Sequence, residues 1–299
     1  MKIVCIGHAA YDITMPVETY PIENTKNRLS NRVECGGGPA ATAAYLLASW
    51  GSNVHFLGVV GKDLYGNRIK NELKNVGVNI KYLEMNKDFA TTSSFILANK
   101  SNGTRTIFTY RSKDMKMKNV TLNFKPDVIL VDGQECEMSK NIINKYKDAI
   151  TIIDAGRATD EIIELSKMVK YLACSKEFAE TVTNVKIDYD NFDTLISLYT
   201  KMEEIFKNTI IVTLESKGCL CKIDNEIKII PSISVKAVDS TGAGDIFHGA
   251  FTYFIANNVS LEEALKLSNI TGAISVTRLG SRNSIPSLKE VKEVYNDIK

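Results

Sequence analysis

Short apolar runs recur along the chain and alternate with longer stretches in which apolar residues return every three or four positions. Residues 3–7, 54–59, 127–131, 150–153, 171–173 and 209–214 are rich in Val, Ile and Leu without polar alternation, the pattern of strands buried on both faces. Residues 40–50, 66–75, 139–147, 160–168, 191–206, 245–257 and 260–279 carry the helical period instead. Strand and helix in repeated alternation predict a three-layer α/β/α fold around a mostly parallel sheet. Two segments break the rhythm. Residues 14–33 are polar with short β-like stretches, and residues 91–111 alternate on either side of Asn102-Gly103, the strongest short-range signal of a hairpin. We therefore expect one domain over residues 1–299, with a small β lid from 13–33 and 91–111 over the carboxyl ends of the parallel strands, where ligands bind in such folds. A hairpin that merely extends the main sheet is the alternative.

Composition narrows the function classes. Hydrophobic residues are 44% and charged residues 24% of the 299, which excludes disordered, collagen-like and coiled-coil chains. A formal charge of +2 gives no polyanion signature, so nucleic acid is not an expected partner. No apolar stretch approaches the ~20 residues needed to span a bilayer. Gly7, His8 and Asp12 interrupt the first apolar run before a signal-peptide core forms. Six scattered cysteines without a CxxC pair fit a reducing, cytoplasmic setting. Cys219 and Cys221 share one face of a strand, but no second Cys/His pair accompanies them, and core packing is the simpler reading.

The chemistry concentrates in two glycine-rich segments. Asp239-Ser240-Thr241-Gly242-Ala243-Gly244-Asp245 follows the strand-like residues 233–238 and opens a helix. Backbone N–H groups of Gly242, Ala243 and Gly244 at a helix mouth can hold a phosphate without a cationic side chain. Asp245 in such a nest is either a helix cap or a proton acceptor beside the anion, and the residues alone leave both open. Gly36-Gly37-Gly38 precedes the helix that starts near Ala40, and allows either a tight loop or close approach of a ligand. Neither segment has Rossmann or Walker A spacing. His8, His55 and His248 are too dispersed for a metal site, although His248 lies one turn from Asp245.

Taken together these segments resemble the PfkB (ribokinase-like) family of carbohydrate kinases over essentially the whole chain. Gly37-Gly38, the stretch Gly61-Lys62-Asp63-Leu64-Tyr65-Gly66 and residues 239–250 match its signatures, with support from Asn269 and residues 276–286. The resemblance implies an ATP-dependent kinase, with Mg2+, acting on a small hydroxylated substrate. It implies Asp245 as the base that accepts the proton of the attacking hydroxyl, and Gly242, Ala243 and Gly244 as an anion hole. Asp12, Gly37, Gly38 and Thr42 fall on its sugar side, Thr42 standing where many members carry Asn. Ser175, Thr213, Gly218 and Asn269 fall on its nucleotide side, and Asp239 and Ser281 in segments that surround a monovalent cation, K+, in several members. Glu215 and Phe178 depart from the pattern, and the latter puts the water-mediated Mg2+ contact on Glu177 or Glu180.

Residues 36–44 with Arg282 and Ile285-Pro286 look most like the sulfofructose kinase or ketohexose kinase branch, with Lys26 matching a basic residue there. The anion-gripping Asn and Arg of that branch read Thr109 and Gln134 here, so Arg105, Arg111 and Arg157 are the candidates to supply charge to a ketohexose or its 6-substituted anionic derivative. Tyr11, Phe95, Phe108 and Tyr110 can stack on a sugar or pack within the lid. A nucleoside kinase of the same family and a catalytically silent sugar sensor are the alternative functions. Exposed lid edges predict a homodimer formed through the lid.

Overall fold

The computed structural model describes residues 1–298. The chain starts with β1 (Lys2–Ile6), β2 (Ala10–Val17) and β3 (Val33–Gly37), followed by α1 (Pro39–Ser49), β4 (Asn53–Gly61) and α2 (Leu64–Asn75). Next come β5 (Asn79–Asn86), the hairpin strands β6 (Ser93–Asn99) and β7 (Arg105–Tyr110), and then β8 (Val128–Val131). Alternation then continues through α3 (Cys136–Lys145), β9 (Ile150–Ala155), α4 (Asp160–Ser166), β10 (Tyr171–Ser175), α5 (Lys176–Thr183) and α6 (Phe192–Ile205). The last third holds β11 (Thr209–Thr213), β12 (Cys219–Ile223), β13 (Glu226–Ile230), α7 (Ala243–Ala256), α8 (Leu261–Ser275) and α9 (Leu288–Asp297).

Nine strands form the main sheet in the order β13-β12-β11-β10-β9-β8-β1-β4-β5, parallel from β11 to β5, with β12 and β13 added as an antiparallel edge. Period-two alternation divides its side chains between two cores. Ile3 and Cys5 of β1, with Val128 and Leu130 of β8, face α1, α7 and α8, whereas Val4, Ile6, Ile129 and Val131 face the α3–α6 side. Each fully buried Ile or Leu contributes about 1.5–3 kcal/mol relative to exposure, which is why these strands read as unbroken apolar runs. Cys219 and Cys221 lie in the first of these cores, as packing residues. All six thiols are unpaired.

Several boundaries differ from expectation for identifiable reasons. β5 is an edge strand with few buried residues, so it has no continuous apolar run. α8 stops at Ser275 rather than near 279, because the chain turns there and Val238 and Asp239 N–H groups both bond to the Val276 carbonyl. The strand expected at 233–238 is irregular: its backbone follows α8 and meets Gly103 instead of joining a sheet. α5 and α9 lie outside the helices expected from periodicity; both are short, and α9 buries only Val291.

A second sheet, ordered β3-β2-β6-β7, gathers the two segments that break the α/β rhythm. Phe95 pairs with Phe108 and Ser94 with Thr109 across the hairpin. The connection 18–32 is irregular and exposed. On the main body α1 and α7 pack closely, because Ala40, Ala41, Ala43 and Ala44 keep α1 slim and Gly249 lies so near Ala43 that a Cβ there would be 3.0 Å from its Cα. That contact fixes the start of α7 against the mouth of the sheet.

Candidate active site

The site is built from chain ends, where backbone polarity is unsatisfied. Six helices begin with a side-chain cap, from Asp63, Thr159, Ser175, Asn191, Ser260 and Ser287. α7 does not: its N-cap is Gly242, left-handed at φ 75°, and no side chain covers the first turn. The Ala243 N–H reaches back to the Ser240 carbonyl at 3.4 Å and Ile246 N–H bonds to Gly242 O. The N–H groups of Gly242 and Gly244 have no acceptor among the described residues, and space is open where a Gly244 side chain would be. An uncapped helix start with free amides is a ready anion site.

Asp245 is the third residue of that helix and caps nothing, which removes the capping alternative. Its carboxylate is half-buried. Burial, then the negative charges of Asp154 and Asp12, raise its pKa well above the ordinary carboxylate value, while Arg105 pulls it back and Asp132 adds to the rise. Four aspartates therefore converge at the carboxyl edge of the sheet. Asp12 is buried, with Oδ2 accepting from Ser281 Oγ at 3.0 Å, and burial outweighs the Ser281 and Ser94 hydroxyls to raise its pKa too. Asp154 lies 2.9 Å from Nδ1 of buried His248, although the two are not aligned as a hydrogen bond.

Asp132, which carries no motif, anchors the other side. It follows β8 and accepts N–H bonds from His8 (2.7 Å), Ala40 (3.0 Å) and Gln134 (3.0 Å), so it caps α1 in place of Gly38, which has no side chain to do so. Burial still pushes its pKa up to about 6. Gln134 is thereby the donor of a turn through its backbone N–H.

The glycine triplet before α1 has a separate reason at each position. A Cβ on Gly37 would overlap the Asp12 carboxylate, one on Gly36 would overlap the Arg282 guanidinium, and Gly38 has φ 88°. Gly242 and Ser281 are equally close, a Cβ on the former lying 2.8 Å from the latter's. Ser281 thus links the mouth of α7 to Asp12.

The remaining candidates separate into groups. Arg105 Nη1 donates to Ser240 Oγ at 2.7 Å, and the Gly103 carbonyl accepts from Ser240 N–H, so the β6–β7 turn rests on the lead-in to α7. Arg111 Nη1 is 2.7 Å from His8 Nδ1 and its Nη2 donates to Met115 O, with Glu135 at 3.9 Å. Arg157 is exposed on the loop after β9. Lys26 stands on the exposed connection 18–32, without an ion pair or hydrogen bond among the described residues. Thr42 is fully buried with its hydroxyl unpartnered, rather than facing open space.

On the opposite side, Ser175 and Thr213 are neighbours across the β10–β11 pair. Ser175 Oγ caps α5 and donates to Gly156 O, and Thr213 Oγ1 donates to Cys174 O. Gly218, at φ 101°, has the Ile230 carbonyl where a side chain would be, and Asn269 Nδ2 donates to that same carbonyl at 2.9 Å. Asn269 therefore braces the end of β13. Glu180 is committed to Lys186 and the Ile187 N–H, while Glu177 is exposed. Asp239 accepts from Thr241 and from Gly280 N–H, and the Ser281 hydroxyl is directed to Asp12 and to the Gly36 carbonyl. No group of three His, Cys, Asp or Glu side chains that could hold a metal ion occurs among the described residues.

The sequence model of the pfkB family carbohydrate kinases matches residues 1–288. A nucleoside kinase of Methanocaldococcus jannaschii is 26% identical over 301 residues, covering 98% of this chain and 96% of that protein. A ribokinase of Staphylococcus aureus is 25% identical over 98% of this chain and 99% of its own length. The solved ribokinase of Arabidopsis thaliana, complexed with ribose and ATP, superposes with a TM-score of 0.79 at 21% identity, over 98% of this chain and 97% of that one.

One group in the site has a clear pH consequence. Burial, followed by the charge of Arg111, lowers the His8 pKa from 6.5 to about 3. A histidine depressed on folding contributes stability that is kept above its unfolded value and lost as pH falls below it. His8→Gln should therefore spare about 2 kcal/mol of the stability that the wild type loses between about pH 7 and 5, read from urea unfolding. Identical losses in both proteins would mean that folded His8 is already charged.

Proposed function

The chain belongs to the pfkB family of carbohydrate kinases, phosphotransferases with an alcohol acceptor, and from that membership we propose that it transfers the terminal phosphoryl group of ATP to a hydroxyl of a ketohexose-type sugar. The observation that carries the reading is Asp245: a carboxylate with raised pKa and no hydrogen-bond partner among the described residues, beside a helix start with free amides. The acceptor hydroxyl gives its proton to Asp245 as its oxygen bonds to phosphorus and the bond to the ADP oxygen breaks. Gly242 and Gly244 N–H groups, with Ala243 completing the turn, receive the charge on the phosphoryl oxygens; donors of this kind are worth about 2.7–4 kcal/mol each. Asp12 and the backbone at Gly37 and Gly38 orient the sugar.

Ser175, Thr213 and Gly218 line the nucleotide side, with Asn269 bracing it. Mg2+ carried with the triphosphate would supply charge neutralisation at the transferring group, and Glu177, the exposed carboxylate of that segment, would hold it, since Glu180 is committed to Lys186 and the Ile187 N–H. Asp239, held by the Gly280 N–H, and Ser281, which donates to Asp12, are the residues that would stand beside a monovalent cation, and no step depends on one.

The small sheet is the lid of this site. Phe95, Phe108 and Tyr110 are 43%, 61% and 59% exposed on β6 and the outer strand β7, and a second copy of the chain is the partner that would cover them. Six free thiols suit a reducing cytoplasm. A nucleoside acceptor is the second reading, favoured by the likeness to the nucleoside kinase.

Three outcomes test these statements. Asp245→Asn should cut turnover by about a hundred- to ten-thousandfold with ATP affinity nearly unchanged, in a coupled assay over fructose, tagatose, their 6-phosphates, sulfofructose and common nucleosides. Turnover that survives the substitution refutes the base, and no wild-type turnover on any acceptor refutes the kinase. Arg111→Ala should raise the Michaelis constant for a phosphorylated or sulfonated ketose about tenfold more than for the neutral sugar; equal effects remove its role. In sedimentation, the wild type should have twice the chain mass and Phe108→Asp the mass of one chain, and a monomeric wild type disproves the lid dimer.

A further inference from the structure

Arg282 is the most deeply buried cation of the site, 4% exposed, on a short 3-10 turn (Arg282–Ser284) far from the sugar strands in sequence. Its Nη1 pairs with Glu72 of α2 at 3.0 Å, its Nη2 reaches the Gly37 carbonyl at 3.4 Å, and its guanidinium lies over the Tyr45 ring. The same Glu72 oxygen accepts the Gly36 N–H at 2.7 Å. Ser281, the preceding residue, donates to Asp12 Oδ2 and to the Gly36 carbonyl. One ion pair and its neighbour therefore hold both backbone groups of Gly36, which lies across from Tyr11 next to Asp12. Arg282 is also a positive charge that lowers the Asp12 pKa against burial. Gly36 is a glycine because the guanidinium occupies the space of its side chain.

We propose that the Arg282–Glu72 pair is a positioning device for sugar recognition, holding the β2–β3 hairpin so that the Asp12 carboxylate meets the acceptor hydroxyls. The proposal rests on the kinase reading above but concerns residues that touch neither nucleotide nor reacting atoms. Breaking a buried pair leaves the partner charge uncompensated, so either half should matter. A planar fork contacting both Glu72 and a carbonyl is not replaced by lysine.

The test is a cycle of Gly36→Ala, Arg282→Ala and the double variant, with Glu72→Gln beside them. On the acceptor that the wild type phosphorylates, Arg282→Ala should raise the acceptor Michaelis constant about tenfold or more while that for ATP changes less than about twofold. Equal changes for both substrates, or a loss of thermal stability with no change in the acceptor constant, would overturn it. Gly36→Ala should be damaging alone yet add little to Arg282→Ala in thermal stability, since the overlap with the guanidinium is gone and the remaining close atom is the end of the Glu72 side chain, released from its partner and free to shift. Additive losses would also overturn it. The stability cycle needs no ligand, so it decides the coupling even if wild-type turnover is absent on every sugar and the kinase reading itself has failed.

Discussion

Four carboxylates brought to one edge of a sheet repel one another, and the site is organised by how each is answered. Asp132 is met by three backbone N–H groups, Asp12 by the Ser281 hydroxyl, and Asp154 by proximity to His248. Asp245 has neither a hydrogen-bond donor nor a neighbouring cationic or imidazole group in contact, and burial with the charges of Asp154 and Asp12 raises its pKa well above the ordinary range. Unequal environments give like groups different work. Three of these aspartates hold the scaffold or the sugar side, and the fourth is left to take a proton.

The same economy governs the helix starts. An N-terminal cap on α7 would consume the amides that a phosphoryl group requires, so the helix begins on a left-handed glycine and is held in place from outside by close packing on α1. α1 likewise has no cap of its own, and Asp132 supplies one across the cleft. The turn at 280–282 connects the parts: Gly280 to Asp239, Ser281 to Asp12 and Arg282 to Glu72. Sugar side and phosphate side are thereby one mechanical unit.

Much of this was legible in the residues. The central strands were readable because burial on both faces leaves unbroken apolar runs, and Asn102-Gly103 marked the hairpin of the second sheet. β5 has no apolar run to mark it because it is an edge strand with one buried residue, and residues 233–238 read as a strand although their apolar side chains are only half-buried or, at Val235, exposed, with no strand pairing. The segment around Asp245 was visible as a motif. Asp132 was not, since its work is done through backbone N–H groups supplied by β1's exit and α1, which no local spacing reveals. Glu72 and Arg282 were invisible as a pair for the same reason; the one signal was the first glycine of a triplet whose third member alone needs a positive φ. Lys26 and Asn269 were singled out by resemblance alone; the first is solvent-exposed and the second donates to the end of β13, contacts that no local pattern announces.

The most direct test is a crystal structure with a non-hydrolysable ATP analogue. The account predicts its terminal phosphate within hydrogen-bonding reach of the Gly242 and Gly244 amides, with the Asp245 carboxylate facing the space between that phosphate and Asp12. A phosphate bound elsewhere, or an Asp245 turned away from that space, would contradict it.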